Sequence, residues 1–231
     1  MAEDQPDKDR RSSALAYSDL IGDLSAESLG HLGSVAERVR LGRNSVLFFQ
    51  DDPGDAIYVV EKGSVEISIT SPSGKKLSLN VMRPPDVFGE IAALDGGPRT
   101  ATAICMEDTT LLRFGGKKLR VAMLNRPEVG VNLIAILCAR LRWVSQQVED
   151  LAIRNLEGRL ARRLLILHHK FSDETGSLRF SQSELADFLG ATRESTNKTL
   201  QGWRSRGLIT LSRGSIRIRN LDGLADLATL E

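Results

Sequence analysis

The stretch Phe88–Thr102, FGEIAALDGGPRTAT, carries a carboxylate, Glu90, near its start and an arginine, Arg99, near its end, with a Gly-rich turn between them. Two readings of that spacing compete. One is a surface ion pair, worth about 0–1 kcal/mol. The other is that the two side chains hold opposite ends of one small ligand. Gly89 and Glu90 can open a short helix, Glu90–Leu94, whose free N–H groups suit an anion. Arg99 adds a forked cation that matches phosphate oxygens, and Thr100 adds a hydroxyl. Glu90 is an acceptor, tolerable so near an anion only if it faces sugar hydroxyls. On this second reading the stretch wants a phosphate with a ribose beside it.

Around it, from about Val46 to Phe114, the chain is strand-like. NSVLFFQ, AIYVVEKGSVEISI, KLSLNVM and TTLLRF are short, rich in Val, Ile and Thr, or alternate in polarity. DDPGD, EKG and SPSGKK punctuate them as turns. Short, regularly spaced strands predict a small β-sandwich or barrel.

The texture changes after Pro127. Up to about Lys170 the chain has no further proline, and only Gly130 and Gly158. Ile134, Leu137, Leu141, Val144, Val148 and Leu151 recur at alternating steps of three and four, a coiled-coil seam that needs a partner helix. The competing reading is an amphipathic helix lying on its own domain. The segment Ser172–Glu231 reads as a separate small domain. Ser181 with Glu184 three residues on is a capping box, and Gly190 closes that helix. ATRESTNKTLQGWRSRG begins a second helix at once, which predicts a helix-turn-helix. LITLSRGSIRIRN then alternates about SRGS, predicting a hairpin. Leu185, Phe188, Leu189, Leu200 and Trp203 are its expected core. From Ala191 to Arg219 seven basic residues face one acidic residue, Glu194, a net of 7 − 1 = +6 that suits phosphate contacts. Arg193, Glu194 and Lys198 stand at the start of the second helix, where Arg can donate to guanine and Glu can accept from cytosine.

Composition sets the outer bounds. The 231 residues carry 31 Lys and Arg against 30 Asp and Glu, and are 41% hydrophobic, enough for one large or two modest cores. No run is long and apolar enough to span a bilayer. The start, MAEDQPDKDRRSS, lacks the apolar core of a signal peptide and is expected to be disordered. Cys105 and Cys138, far apart in apolar surroundings, read as free, buried thiols of a reducing cytosol.

FGEIAALDGGPRTAT resembles the phosphate-binding cassette of cyclic-nucleotide-binding domains. SQSELADFLGATRESTNKTL resembles the recognition motif of the cyclic-AMP receptor protein (catabolite activator) and fumarate–nitrate regulator family of bacterial transcription factors. The likeness runs from about Leu20 to Ala228. It implies an α+β chain: a disordered 1–16, a jelly-roll-like β-roll that binds cyclic nucleotide over 17–126, a dimerisation helix over 127–154 and a winged helix-turn-helix over 155–231. Glu90 would then bind the ribose 2′-hydroxyl, with backbone contacts from Gly89, Ile91 and Ala92. Arg99 and Thr100 would clamp the cyclic phosphate, with Ala101 beside them. Arg140 matches a family position near the ligand. Val144 and Ser145 stand where cyclic-AMP binders of the family commonly carry a Thr–Ser pair. Ser145 could bond the base from the partner subunit, while Val144 packs in the seam. Thr100 follows the cassette arginine as in cyclic-GMP recognition, so the resemblance implies cyclic AMP, with two alternatives: cyclic GMP in the same architecture, or a DNA-binding regulator that needs no effector.

For DNA, the resemblance implies Thr192, Arg193, Glu194, Ser195, Asn197, Lys198 and Arg213, and a palindrome of TGTGA-like half-sites. It also implies a homodimer through Ile134–Leu151, a hinge near Ile153–Glu157, contact with RNA polymerase, a cytoplasmic setting and no membrane. Other sensors and enzymes are disfavoured. Two scattered cysteines do not make the four ligands of an iron–sulfur cluster. His168 and His169 lie beyond the hinge and are expected on a solvated helix end, not as haem ligands. His31 is expected to be structural. Val46–Phe114 has no histidine for a metal-dependent β-barrel enzyme, and no catalytic triad is visible.

Overall fold

AIYVV, the start of strand β3 (Ala56–Lys62), is buried at every residue, and that double burial organises the N-terminal half. The computed structural model describes residues 36–172, 176–212 and 214–229, so the segment 1–16, His31 and Arg213 lie outside the described residues. The chain divides into two compact units. One holds the chain up to Leu141 apart from residues 70–78, and the other holds residues 70–78 and the chain from Arg142 onward.

Two four-stranded sheets make up the first unit, apart from Thr70 and residues 76–78 of the second sheet. One has the order β1 (Glu37–Leu41), β8 (Thr109–Gly115), β3 and β6 (Val87–Phe88). The other has the order β2 (Val46–Phe48), β7 (Thr102–Cys105), β4 (Val65–Thr70) and β5 (Lys76–Met82). Antiparallel pairing sets Ile57 opposite Phe114 and Val59 opposite Leu112. Successive side chains point to opposite faces of a strand. Ala56, Tyr58, Val60 and Leu111 therefore join Val65, Phe88, Ala103 and Cys105 between the sheets. Ile57, Val59, Leu112 and Phe114 point the other way, onto Leu119, Val129 and Leu133. Those last three belong to helices α2 (Gly116–Asn125) and α3 (Pro127–Ile153).

The six-residue helix α1 (Glu90–Asp95), one residue longer than expected, runs between glycines 89 and 96, both in the left-handed region. Helix α3 packs Val129 and Leu133 on its own unit but leaves Ile134, Leu141, Val144, Val148 and Leu151 exposed, Leu141 by 68%. Of the expected seam, only Leu137 is half-buried. A break at Arg154 and Asn155 falls inside the expected Ile153–Glu157 window. The Asn155 side chain accepts from the Gly158 N–H at 2.9 Å and caps α4 (Leu156–Phe171).

The second unit follows the expected pattern closely. Ser181 and Glu184 form a reciprocal capping box on α5 (Gln182–Leu189), and Gly190 closes it in the left-handed conformation. Thr192 caps α6 (Arg193–Ser205), its Oγ1 accepting from the Ser195 N–H. Strands β9 (Ser177–Leu178), β10 (Ile209–Ser212) and β11 (Ser215–Ile218) form a three-stranded sheet in the order β10-β11-β9, and α7 (Leu221–Thr229) ends the unit. Leu185, Phe188, Leu189, Leu200 and Trp203 are buried, as expected of the core that fixes the two helices. The Trp203 indole donates to Glu157 Oε1 at 2.7 Å, so its one polar atom is satisfied.

Truncating Leu112, fully buried between β3, β8 and the helices, should cost about 2–5 kcal/mol. Truncating the exposed Val46 should cost under about 0.5 kcal/mol. Urea unfolding followed by circular dichroism checks both.

Candidate ligand pocket and nucleic-acid interface

Phe48, Ile67, Phe88, Gly89, Glu90, Ile91, Ala92, Arg99, Thr100, Ala101 and Arg140 line one pocket of the first unit, with about 350 Å³ of atom-free space, part of it open to solvent. Glu90 and Arg99 lie in its wall, 0% and 4% exposed. They are not paired with each other. The Arg140 Nη1 donates to Glu90 Oε1 at 2.7 Å, and its Nη2 donates to the Val87 carbonyl. The Arg99 Nη1 donates to the carbonyls of Ala56 and Gly89, both at 2.9 Å.

One atom on each buried group remains unanswered. Glu90 Oε2 and Arg99 Nε are buried and have no hydrogen-bond partner. An unmade buried hydrogen bond costs about 1–3 kcal/mol, more where the group is charged. Both atoms are themselves buried, and Arg99 Nε lies beside Gly54, which is outside the pocket lining. Burial, the largest influence, pulls the Arg99 guanidinium below the usual arginine range, while Tyr58, Asp55 and Glu90 pull it back up.

The Arg99 side chain is held from all sides. Its guanidinium lies over the Phe48 ring, 4.3 Å from the centroid, a cation–π contact. Its backbone is tied to the 51–52 loop: the Arg99 N–H donates to the Asp52 carbonyl at 2.8 Å, and the Asp51 N–H donates to the Arg99 carbonyl at 2.9 Å. Two glycines make room. A Cβ at Gly54 would sit 2.6 Å from Arg99 Nε, and one at Gly89, whose φ is +80°, would sit 2.8 Å from Arg99 Nη1.

In the second unit Thr192, Arg193, Glu194, Ser195 and Lys198 are exposed and Asn197 is half-buried. Thr196, Leu200 and Trp203 are buried on the opposite side of α6. Arg193 borders a hollow between Ser181, Gln182 and Ser183 at the start of α5 and Ser212 and Ser215 of the β10–β11 hairpin.

The first unit therefore gathers Gly89, Glu90, Ile91, Ala92, Arg99, Thr100, Ala101 and Arg140 in one pocket. Val144 and Ser145, further along α3, are both exposed and not part of this lining. Sequence reasoning missed Phe48, Ile67 and Phe88 in the lining and Gly54 beside Arg99. DDPGD reads as a turn, and nothing local to it says that its glycine borders an arginine far along the chain. His168 departs from expectation. It is half-buried, and its Nδ1 is buried without a partner, whereas His169 is exposed. Among the described residues no group of His, Cys, Asp or Glu is arranged to hold a metal, and no single helix is long and apolar enough to cross a membrane.

Residues 38–126 match the cyclic nucleotide-binding domain, and residues 158–227 match the Crp-like helix-turn-helix domain. The chain is 32% identical over 216 residues to the CRP-like cAMP-activated global transcriptional regulator of Mycobacterium tuberculosis, covering 91% of this chain and 96% of that one. It is 29% identical over 211 residues to the cyclic AMP receptor protein of Thermus thermophilus, covering 91% and 97%. A solved transcriptional regulator of the CRP/FNR family, also from Thermus thermophilus, aligns with a TM-score of 0.73 at 29% identity, covering 83% of this chain and 98% of that one.

The close approach at Gly89 makes a sharp test. Gly89→Ala should lower stability by about 1 kcal/mol or more, through its positive φ, and should dislodge Arg99 from the Gly89 carbonyl. Thermal unfolding reads the first effect, and any ligand binding that depends on Arg99 should weaken in parallel.

Proposed function

The chain belongs to the CRP/FNR family of bacterial transcription regulators, and from that premise we propose that it is a homodimeric switch that binds cyclic AMP and, in response, a palindromic operator with TGTGA-like half-sites. It is a regulator with a cyclic-nucleotide-binding and a DNA-binding domain, and not an enzyme. The observation that carries the ligand reading is that Glu90 and Arg99, two buried charged residues each keeping one polar atom without a partner, line one pocket. Glu90 Oε2 accepts from the ribose 2′-hydroxyl, and Arg99 donates to the cyclic phosphate, with Thr100 and the backbone of Gly89, Ile91, Ala92 and Ala101 completing the cradle. Arg140 ties this cradle to α3 through Glu90. Nucleotide that favours one arrangement of α3 thereby favours one arrangement of the dimer, and only a difference in affinity between two states is needed. Ser145 of the partner subunit bonds the base, and Val144 packs in the seam.

The open stripe on α3 supports the dimer. The second half, 155–231, reads DNA. Arg193 and Glu194 take base edges, Lys198 makes a point contact, Asn197 lies on the same face, and Thr192, Ser195 and Arg213 take phosphates. A DNA partner places the protein in the cytoplasm, with RNA polymerase as its further partner.

A second reading is that cyclic GMP is the ligand. It is favoured by Thr100, whose exposed side borders the pocket and whose hydroxyl suits the guanine amino group.

Calorimetric titration with each nucleotide separates the two. Micromolar binding of cyclic AMP, abolished in Arg99→Ala, is the expected result. Binding of cyclic GMP alone would transfer the assignment to the second reading, and binding of neither would overturn both. For DNA, Arg193→Ala should cost about 1–3 kcal/mol and relax the preference at one guanine, read by competition among operator variants. Leu141→Asp, in the middle of the open stripe, should give a monomer in sedimentation equilibrium.

A further inference from the structure

Arg163 of α4 is a cation inside the second unit, outside both the lining of the ligand pocket and the DNA-reading face. It is 7% exposed. Its guanidinium lies 5.8 Å from the ring centroid of Trp143 on α3 and 5.1 Å from that of Phe188 on α5, within cation–π range of both. Phe188 is fixed in turn by Phe180, edge-on at 5.8 Å between centroids. The Arg163 Nη2 also reaches the carbonyl of Ser78, on β5, at 3.4 Å. Nearby, a Cβ at Gly190, which closes α5, would sit 3.3 Å from Leu77 Cδ1, so β5 presses on the same helix. Residues 77 and 78, Trp143, Arg163 and Phe188 all belong to the second unit.

Three elements therefore meet on one guanidinium, and each leads somewhere. Trp143 directly precedes Val144 and Ser145 on α3. β5 runs on from Ser78 to Met82, which packs with Phe88 of the pocket lining. Phe188 belongs to the first helix of the helix-turn-helix. The position is costly for a cation. Burial, the largest influence, pulls the Arg163 guanidinium down to about 10, while Asp150 pulls it back up. Asp150 is itself buried and already accepts from Arg154 Nε at 2.9 Å and Arg162 Nη1 at 3.1 Å. An apolar side chain of similar length would fill the space between the rings with no charge to desolvate. The charge brings one property that an apolar residue lacks. Water stabilises a guanidinium as soon as the rings part, whereas an apolar side chain loses by exposure. A contact built this way closes on two rings and a carbonyl and opens again at little cost, which suits a joint between two states.

We propose that Arg163 is a positioning residue that makes the seating of α5 against α3 and β5 reversible, so that nucleotide bound in the first unit changes how the DNA-reading helices are held. The proposal rests on the reading of the chain as a nucleotide-responsive DNA-binding protein and adds the joint through which the response passes.

The test measures, by calorimetry, the affinity of the full chain for the cyclic nucleotide that wild type binds, cyclic AMP or cyclic GMP, with and without a saturating duplex that carries the TGTGA palindrome. In wild type the duplex should tighten nucleotide binding by roughly 5- to 150-fold. Arg163→Met keeps the length and removes the charge. It should unfold at or above the wild-type temperature and still bind nucleotide and duplex, yet the tightening should fall to about twofold or less, because the joint no longer opens. Arg163→Lys keeps a cation for the rings to hold and should retain most of the tightening. Should Arg163→Met fail to fold, Phe188→Leu removes one ring, leaves Arg163 in place and should lose the tightening as well. Trp143 emission supplies a readout that a purely structural arginine would not move. It should shift on nucleotide binding in wild type and stay fixed in Arg163→Met, with the buried Trp203 as a constant background. Wild-type tightening in Arg163→Met or in Phe188→Leu, or equal losses in the Met and Lys variants, overturns the proposal and leaves the switch reading intact. A wild type whose nucleotide affinity is indifferent to the duplex overturns the switch reading and the proposal with it.

Discussion

A fully buried carboxylate that keeps one oxygen without a partner is a constraint that the rest of the first unit is built around. Glu90 is held by Arg140 through one oxygen while Oε2 stays open. Arg99 is likewise held through Nη1 while Nε stays open. Water-filled surroundings would answer both atoms at no cost, but burial does not. On the proposed reading, a ligand that supplies a donor to Glu90 and an anionic acceptor to Arg99 recovers part of that cost. A rigid sheet pair fixes that separation, because β3 is locked from both faces and β6 delivers the chain directly into Gly89 and Glu90.

On the proposed reading the same carboxylate is also the link to function. Arg140 sits on α3, and its fork spans Glu90 and the Val87 carbonyl. Ligand on Glu90 Oε2 changes what Arg140 feels on Oε1. α3 also carries the exposed stripe from Ile134 to Leu151. A single helix thus has one face in the nucleotide domain, an open face for a second copy and a break at Arg154–Asn155 before the DNA-reading half.

Much of this was legible in the sequence because the signals are local. The capping box at Ser181 and Glu184, the close at Gly190, the seam on α3 and the alternating strands each depend on residues a few positions apart, and the α+β fold follows from them. The cassette was legible for the same reason, since Glu90 and Arg99 share one turn-rich stretch. What surrounds Arg99 was not. Phe48 and Gly54 lie some 45–51 positions before it, and only the meeting of β2 with β7 and the bridge of Pro53 with Pro98 bring them together. The double burial of β3 was also hidden, because a continuous apolar run does not say which layer covers each face. His168 shows the converse error: of the two histidines read as solvated, His169 is exposed but His168 is half-buried.

The most direct measurement compares the affinity of the full chain for cyclic AMP and for its 2′-deoxy analogue, which differ only in the hydroxyl assigned to Glu90 Oε2. A hydrogen bond to a charged group is worth about 1.5–3 kcal/mol, so the account predicts a loss of roughly 10- to 150-fold for the analogue. Equal affinity for the two would mean that the open oxygen of Glu90 does not meet the ribose, and would contradict the account at its centre.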